Sequence, residues 1–496
     1  MLKKVDFGNC IAEKDSDMLD KAFIETPYIK DALLDEKRLI VGRKGVGKSA
    51  IVEHLKRTNG DNCLVFRPRD LRFTEFQSFY ELSLKYKDLD SSSLLQYVWE
   101  IIILGMVMGN VTSDKYNLSP EAKTMRAFYS QYGNGEEDFI GRVLTYIEKS
   151  LRNAPAGVKI ISDILSHSRK GKDIDTSFKK AKEALKNYLS KREERLLVLI
   201  DNIDERWVSE NAISTSIIKA LVQMTRELSP YEFSPNLIIK CFIPMDMAEE
   251  ALQTRHEDKT YPEVCEIKWT RDTLLQLIGA RIAISCNLRR GKDFITNYQY
   301  CWERIFSKSG YNLLGKFEES FDYILRHTLY RPRDIIRYCD HLVKETLKQD
   351  ENSDLVPFNL IQKHLVELAK DSIRFLKSEF NAKIEKKIME EIITEFVGLS
   401  NILTYDDFIA ICEICTKWKK TCTQNEIANL LYEIGFIGAI LIEPTSRTLP
   451  KPSRKFVFSF AERDQNLRRS VGLCIHPLFY EYLSIEANTE IIVKGH

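Results

Sequence analysis

No charge of one sign dominates this chain. Its 73 lysines and arginines meet 72 aspartates and glutamates, leaving +1 over 496 residues. A global field drawing the protein to nucleic acid or an anionic membrane is therefore absent, and only local basic patches remain open. Long hydrophobic runs are also scarce. The most apolar one, YVWEIIILGMVM from Tyr97 to Met108, carries Glu100. It is short of the roughly 20 residues a membrane span needs, so it reads as a buried helix. The opening MLKKVDFGNCIAEKD lacks the apolar segment of a signal peptide, from which we expect a cytoplasmic protein with no membrane partner. Eleven cysteines, an odd count without framework spacing, exclude a disulfide scaffold and point to reduced thiols. Cys412 and Cys415 form a C-x-x-C near Cys422, but FIAICEICTKW has a helical pattern and no fourth ligand at zinc-finger spacing. There is no Ser–His–Asp or paired-His signature. The E-x-K of Glu266 and Lys268 in PEVCEIKW lacks the upstream aspartate of a nuclease. No repeat or low-complexity linker interrupts the chain.

What is present is an ordinary globular composition, 44% hydrophobic and 29% charged, with a length that suggests about three domains. Apolar runs at 37–41, 62–66, 196–200 (LLVLI) and 236–243 (NLIIKCFI) read as strands. Helical stretches lie between them, the pattern of a parallel α/β sheet. LLVLI does not alternate, which suits a central strand buried on both faces. Residues 73–192 are mostly helical and read as an insertion. The chain is helical again from Trp269, with Pro332 where a proline opens a helix. After about Asp371, helical runs at 385–398, 405–417 and 424–434 precede two alternating segments, FIGAILIEP and KFVFSFAE. That order predicts a winged helix with its wing tip at 444–454. The expected organisation is an α/β parallel-sheet core from 1–72 and 193–268, the 73–192 insertion, a helical lid at 269–370 and a winged helix at 371–496.

The chemistry starts at GRKGVGKS, which fits G-x-x-x-x-G-K-S without a mismatch, with a strand before it and a helix after it. Gly42, Gly45 and Gly47 let the backbone turn and present N–H groups to phosphate oxygens. Arg43, Lys44, Val46 and Ala50 complete the loop. Lys48 brings a point charge to the terminal phosphates, Ser49 offers a hydroxyl to Mg²⁺, and the following helix aims its positive end at the anion. ATP and Mg²⁺ are therefore the expected ligands. No guanine-reading N-K-x-D follows. LLVLIDNIDERW supplies the acidic half of such a site. Asp201 ends a buried strand where it can hold the magnesium, and Asp204 or Glu205 can orient or deprotonate water.

With these two motifs on one chain, the sequence resembles the NACHT-type and related signalling P-loop ATPases of the AAA+-like branch. Its GRKGVGKSAI and RPRD segments resemble a bacterial ATPase family often found among phage-defence genes. The resemblance spans about residues 5–345 and implies an extra strand between the two motifs. It gives Lys48 and Ser49 the phosphate and magnesium roles and Asp201 the magnesium role. Where relatives carry Gly or an acid after that aspartate, this chain has Asn202. The water-polarising role therefore passes to Asp204 first and Glu205 second, and hydrolysis is expected to be slow. In LYRPRDIIRYC the resemblance implies a γ-phosphate sensor, Arg333 first and Arg331 second, with Pro332 packed by the base. Phe7 stands where a ring stacks on adenine, or where it staples the first helix. No sensor follows NLIIKCFI, since PMDM offers only Asp246.

The resulting expectation is a switch ATPase that couples nucleotide state to a protein partner or to self-oligomerisation, in the resembled family often in antiphage defence. Two alternatives stand beside it. One is a DNA-binding loader or motor using the wing residues Arg447, Lys451, Arg454 and Lys455, with Arg463, Arg468 and Arg469 close behind. The other is a nucleotide-locked scaffold.

Overall fold

The computed structural model describes residues 1–67, 73–84, 90–113, 119–132, 139–153, 174–203, 212–228, 233, 235–252, 262–290, 293–379, 384–419, 422–443, 453–462 and 465–493. It is a mixed α/β, mostly helical protein with a five-stranded parallel sheet. The chain divides into two compact units, one of Pro27–Arg43 and Lys48–Ile267, the other of Met1–Thr26, Lys44–Gly47 and Lys268–His496.

The first of these holds the sheet. Strands β1 (Leu39–Gly42), β2 (Cys63–Phe66), β3 (Leu196–Ile200), β4 (Leu237–Pro244) and β5 (Val264–Glu266) lie in the order β2-β3-β4-β1-β5. Every pairing is parallel. The four strands expected from apolar runs are present, and β4 separates β1 from β3. The edge strand β5 was not expected, because a three-residue run is too short for a periodicity signal. All five residues of β3 and all eight of β4 are buried, as strands covered on both faces require. Lys240 is the exception in chemistry. Its ammonium, buried in β4, donates to the carbonyls of Ala32, Leu34 and Lys37 at 3.0, 2.5 and 2.7 Å, and burial lowers its pKa to about 8.

The 73–192 region forms helices Phe73–Ser83, Ser91–Val111, Pro120–Tyr132, Phe139–Asn153 and Ile174–Ser190, which share one apolar core with the sheet. The apolar run belongs to Ser91–Val111. At 21 residues this helix is long and apolar enough to cross a membrane, yet Leu94, Val98, Trp99, Ile102 and Met108 are wholly buried inside the unit. Its N-cap is Asp90, which accepts from the Ser92 N–H at 3.0 Å.

The second unit gathers the chain's beginning and its C-terminal half. Met1–Thr26 therefore belongs to this unit and not, as the sequence led us to expect, to the unit of the sheet. Several bonds inside the unit explain this: a fully buried Arg281–Asp15 ion pair at 2.7 Å, a Lys3–Glu351 pair at 2.7 Å, and the Met1 ammonium on Asp354 at 2.5 Å. The principal helices are Arg271–Ser285, Pro332–Gln349 and Phe358–Glu379. The last runs unbroken through the expected boundary at 370/371. Two short hairpins, β6–β7 (Arg289–Arg290 with Asp293–Phe294) and β8–β9 (Ser309–Tyr311 with Phe317–Glu319), interrupt the helices.

Beyond them lie helices Lys386–Thr394, Tyr405–Cys415 and Gln424–Glu433 and a four-stranded antiparallel sheet. Its strands are β10 (Ile402–Leu403), β11 (Ile437–Glu443), β12 (Ser453–Val457) and β13 (Gly472–Ile475), in the order β10-β13-β11-β12. A capping box closes the start of Gln424–Glu433, with Thr423 and Glu426 each bonding the other's backbone. Cys412 and Cys415 are fully buried in this core. Burial pushes the Cys415 thiol up to about 12, so both act as small apolar side chains.

Candidate functional site

In the sheet unit the strands all end on one side, because they are parallel. Ligands of open α/β sheets bind at such carboxyl ends. β1 delivers Gly42 and Arg43 there, and the helix Lys48–Asn59 starts at once. The Lys48 ammonium donates to the carbonyls of Gly42 at 2.6 Å and Arg43 at 3.1 Å. Asp201 follows β3, and the Ser49 hydroxyl draws its pKa down.

Asp201 is 1% exposed, and its Oδ2 is buried with no hydrogen-bond partner among the described residues. Burial raises its pKa to about 6, opposed by the Ser49 hydroxyl, the Lys48 charge, the Asn202 N–H and the Arg67 charge. A buried carboxylate with an unfilled oxygen and a serine hydroxyl are oxygen ligands that fit a hard divalent cation. Asn202 has φ +60°. Asn tolerates this left-handed conformation better than any residue but Gly. Asp204 and Glu205 lie outside the described residues, as does the Asp246 side chain.

The middle of the loop, Lys44–Gly47, groups with the other unit, and three donors of that unit hold its carbonyls. The Arg331 guanidinium donates to Lys44 O at 3.1 Å, the Arg333 N–H to Gly45 O at 3.3 Å, and the Trp269 indole to Val46 O at 2.8 Å. In a trans peptide the next N–H points opposite the carbonyl. Tying these carbonyls on one side therefore turns the N–H groups of Gly45, Val46 and Gly47 to the other. A row of backbone donors is what an anion-binding nest needs. Gly45 has φ +85° and Gly47 φ +101°. A Cβ on Gly45 would also meet the Arg333 side chain at 3.2 Å, whereas one on Gly47 would meet nothing.

Several expected roles change here. Phe7 is 1% exposed and lies 6.4 Å, ring centre to ring centre, from Phe306. A ring covered by protein has no face for a base, so Phe7 is a core residue. Pro332 is buried as the first residue of its helix. Arg331 is 3% exposed and pairs with Asp334 at 2.9 Å, which makes it a positioning residue for the loop. Arg333 is half-buried, and its guanidinium has no ion-pair partner among the described residues.

Two contributors escaped the sequence reading. Trp269 carried no motif. Arg67 follows β2, pairs with Glu53 of the Lys48–Asn59 helix at 2.8 Å and acts on the Asp201 charge. Its one signal was that RPRD occurs twice, at 67–70 and 331–334. In the C-terminal sheet, Arg454 and Lys455 are exposed on the edge strand β12, and Arg468 and Arg469 are exposed as well. Arg447, Lys451 and Arg463 lie outside the described residues.

Comparison with known proteins places a match at residues 272–393, to the FunZ-associated C-terminal helical domain. That stretch includes Arg331 and Arg333 and excludes the glycine-rich loop. The chain is also similar to a protein of Escherichia coli (strain K12) named "Putative transposon gamma-delta 80.3 kDa protein". The two are 23% identical over 510 residues, spanning 97% of this chain and 67% of that protein.

Proposed function

We propose that the protein is a P-loop switch ATPase that binds ATP with Mg²⁺, hydrolyses it slowly, and couples its nucleotide state to a protein partner or to self-oligomerisation. The observation that carries this reading is that the glycine-rich loop follows β1 while Asp201, buried with an unpartnered Oδ2, follows β3, with β4 between the two strands. That strand order is the one implied by the AAA+-like resemblance. Gly42–Ala50 holds the phosphates, with Lys48 as the mobile charge. Ser49 and Asp201 hold Mg²⁺, which when bound neutralises charge building on the phosphate oxygens. Arg333, seated on the Gly45 carbonyl, reads the γ-phosphate. Asp204, or Glu205 beside it, orients the water. A state-dependent contact of this kind shifts an equilibrium only by its difference in energy between ATP and ADP, which is the work a switch does. The antiphage setting rests on the resemblance, and the helices with the β11–β12 hairpin support a winged helix as the partner-facing element.

A second reading is a DNA loader. The exposed Arg454 and Lys455 on an edge strand favour it, and so does the transposon named for the E. coli relative. One experiment separates the readings: ATP turnover by wild type, Lys48→Ala and Asp204→Asn, with and without double-stranded DNA across a salt series. Turnover lost in both variants and indifferent to DNA supports the switch. DNA stimulation that collapses with salt supports the loader. ATP retained with no turnover in wild type supports a nucleotide-locked scaffold, and no ATP binding at all sinks the P-loop reading.

A further inference from the structure

Away from the loop, two consecutive long helices bring together three metal-ligating side chains. His341 lies on Pro332–Gln349, and His364 and Glu367 lie one turn apart on Phe358–Glu379. One ligand atom from each falls within 4.8 Å of the others. His364 Nδ1 is 3.3 Å from Glu367 Oε2, and His341 Nε2 is 3.7 Å from the same oxygen. The His364 side chain is 9% exposed, while Glu367 at 65% faces solvent.

The spacing is informative. Zinc takes nitrogen and oxygen ligands at about 2.0–2.1 Å, so neighbouring ligands of a tetrahedral ion stand about 3.3–3.4 Å apart. His341 Nε2 is buried and has no hydrogen-bond partner among the described residues, though it faces the carboxylate. A neutral imidazole lone pair turned toward a carboxylate is repelled, and a shared cation removes that repulsion. Glu345, one turn beyond His341, is also within electrostatic reach of both histidines, which adds negative potential around the cluster.

We propose that His341, His364 and Glu367 bind one zinc-class divalent cation, with water in the fourth position. Two neutral imidazoles and one carboxylate leave the complex at +1, and binding needs no redox step. The bound ion ties Phe358–Glu379 to the helix whose first residues carry Arg333. It thereby adds a metal-dependent brace to the unit that holds the loop carbonyls.

The test uses the full chain, stripped with chelator and titrated with Co²⁺, then with Zn²⁺. One equivalent giving the visible absorption of tetrahedral cobalt, without the strong thiolate charge-transfer band, is expected. Zn²⁺ should raise the melting temperature by at least about 2 °C. Glu367→Gln and His341→Gln should each weaken binding about 100-fold or more and abolish the thermal shift. Glu367 is exposed, so its substitution leaves folding intact, and circular dichroism verifies that. Absence of a cobalt band, or equal binding by wild type and both variants, overturns the site. Lys48→Ala should bind the ion as wild type does, which separates this site from the nucleotide reading.

Discussion

Ser49 acts on Asp201 across 152 positions of sequence: a hydroxyl at the start of a helix draws down the pKa of a carboxyl at the end of a buried strand. Burial of that carboxyl outweighs the hydroxyl. The folded protein raises the Asp201 pKa from 3.8 to about 6, so it holds the proton more tightly than the unfolded chain does. That contribution to stability is complete below about pH 3.8 and is lost as pH rises through about 6. Above that, the buried charge costs up to about 3 kcal/mol. Asp201→Asn should therefore stabilise the nucleotide-free protein at pH 8 by up to that amount, with the gain fading toward pH 4. Urea unfolding at the two pH values measures this, and an equal effect at both would refute it.

The loop glycines should separate conformational strain from crowding. Gly47→Ala meets open space at φ +101°, so it should cost about 1–2 kcal/mol from backbone strain alone. Gly45→Ala adds a contact at 3.2 Å with Arg333 and should cost more. Arg333→Gly, which removes the Cβ that makes this contact, should recover the excess of Gly45→Ala and nothing of Gly47→Ala. A double-mutant cycle read by thermal unfolding checks this, with a coupling of about 0.5 kcal/mol or more between Gly45 and Arg333 only.

Phe7→Ala tests whether that ring serves the core. It should destabilise by about 3–5 kcal/mol through the cavity it leaves, while nucleotide affinity of the folded fraction stays at the wild-type value. A tenfold loss of ATP affinity without loss of stability would restore the adenine-stacking role.

Trp269→Phe keeps a smaller aromatic ring and removes the N–H that holds Val46 O at 2.8 Å. Losing that bond should cost about 1 kcal/mol. If the bond orients the loop, the loss appears as a several-fold weaker ATP Kd. Equilibrium binding of a fluorescent ATP analogue reads it out, and an unchanged Kd would show that the indole does not orient the loop.

Much of the sheet was readable because its strands are covered on both faces and so become unbroken apolar runs, as LLVLI is. β5 was not, because three residues of ordinary composition join an edge only when β1 is already there to pair with them. The loop and Asp201 were legible from motif chemistry. Trp269 and Arg67 were not, since one indole or one guanidinium has no pattern until folding places a partner near it. The expected lid boundary failed for a related reason. A change of composition near Asp371 does not stop a helix that has neither a proline nor a glycine in its path, and Phe358–Glu379 runs on.

By itself the sequence determined the local elements and the chemical kit: a glycine-rich turn between strand and helix, an aspartate after a buried strand, a proline opening a helix before an arginine. These follow from short-range sterics and periodicity, which act within a few residues. Tertiary structure alone decided that Met1–Thr26 packs with the C-terminal half and that Phe7 is covered. It alone made Arg331 and Trp269 holders of loop carbonyls, and set His341 beside His364 and Glu367. Those outcomes depend on buried pairs such as Arg281–Asp15, whose members are 266 positions apart. Burial and partnership of that kind arise only when the whole chain has packed.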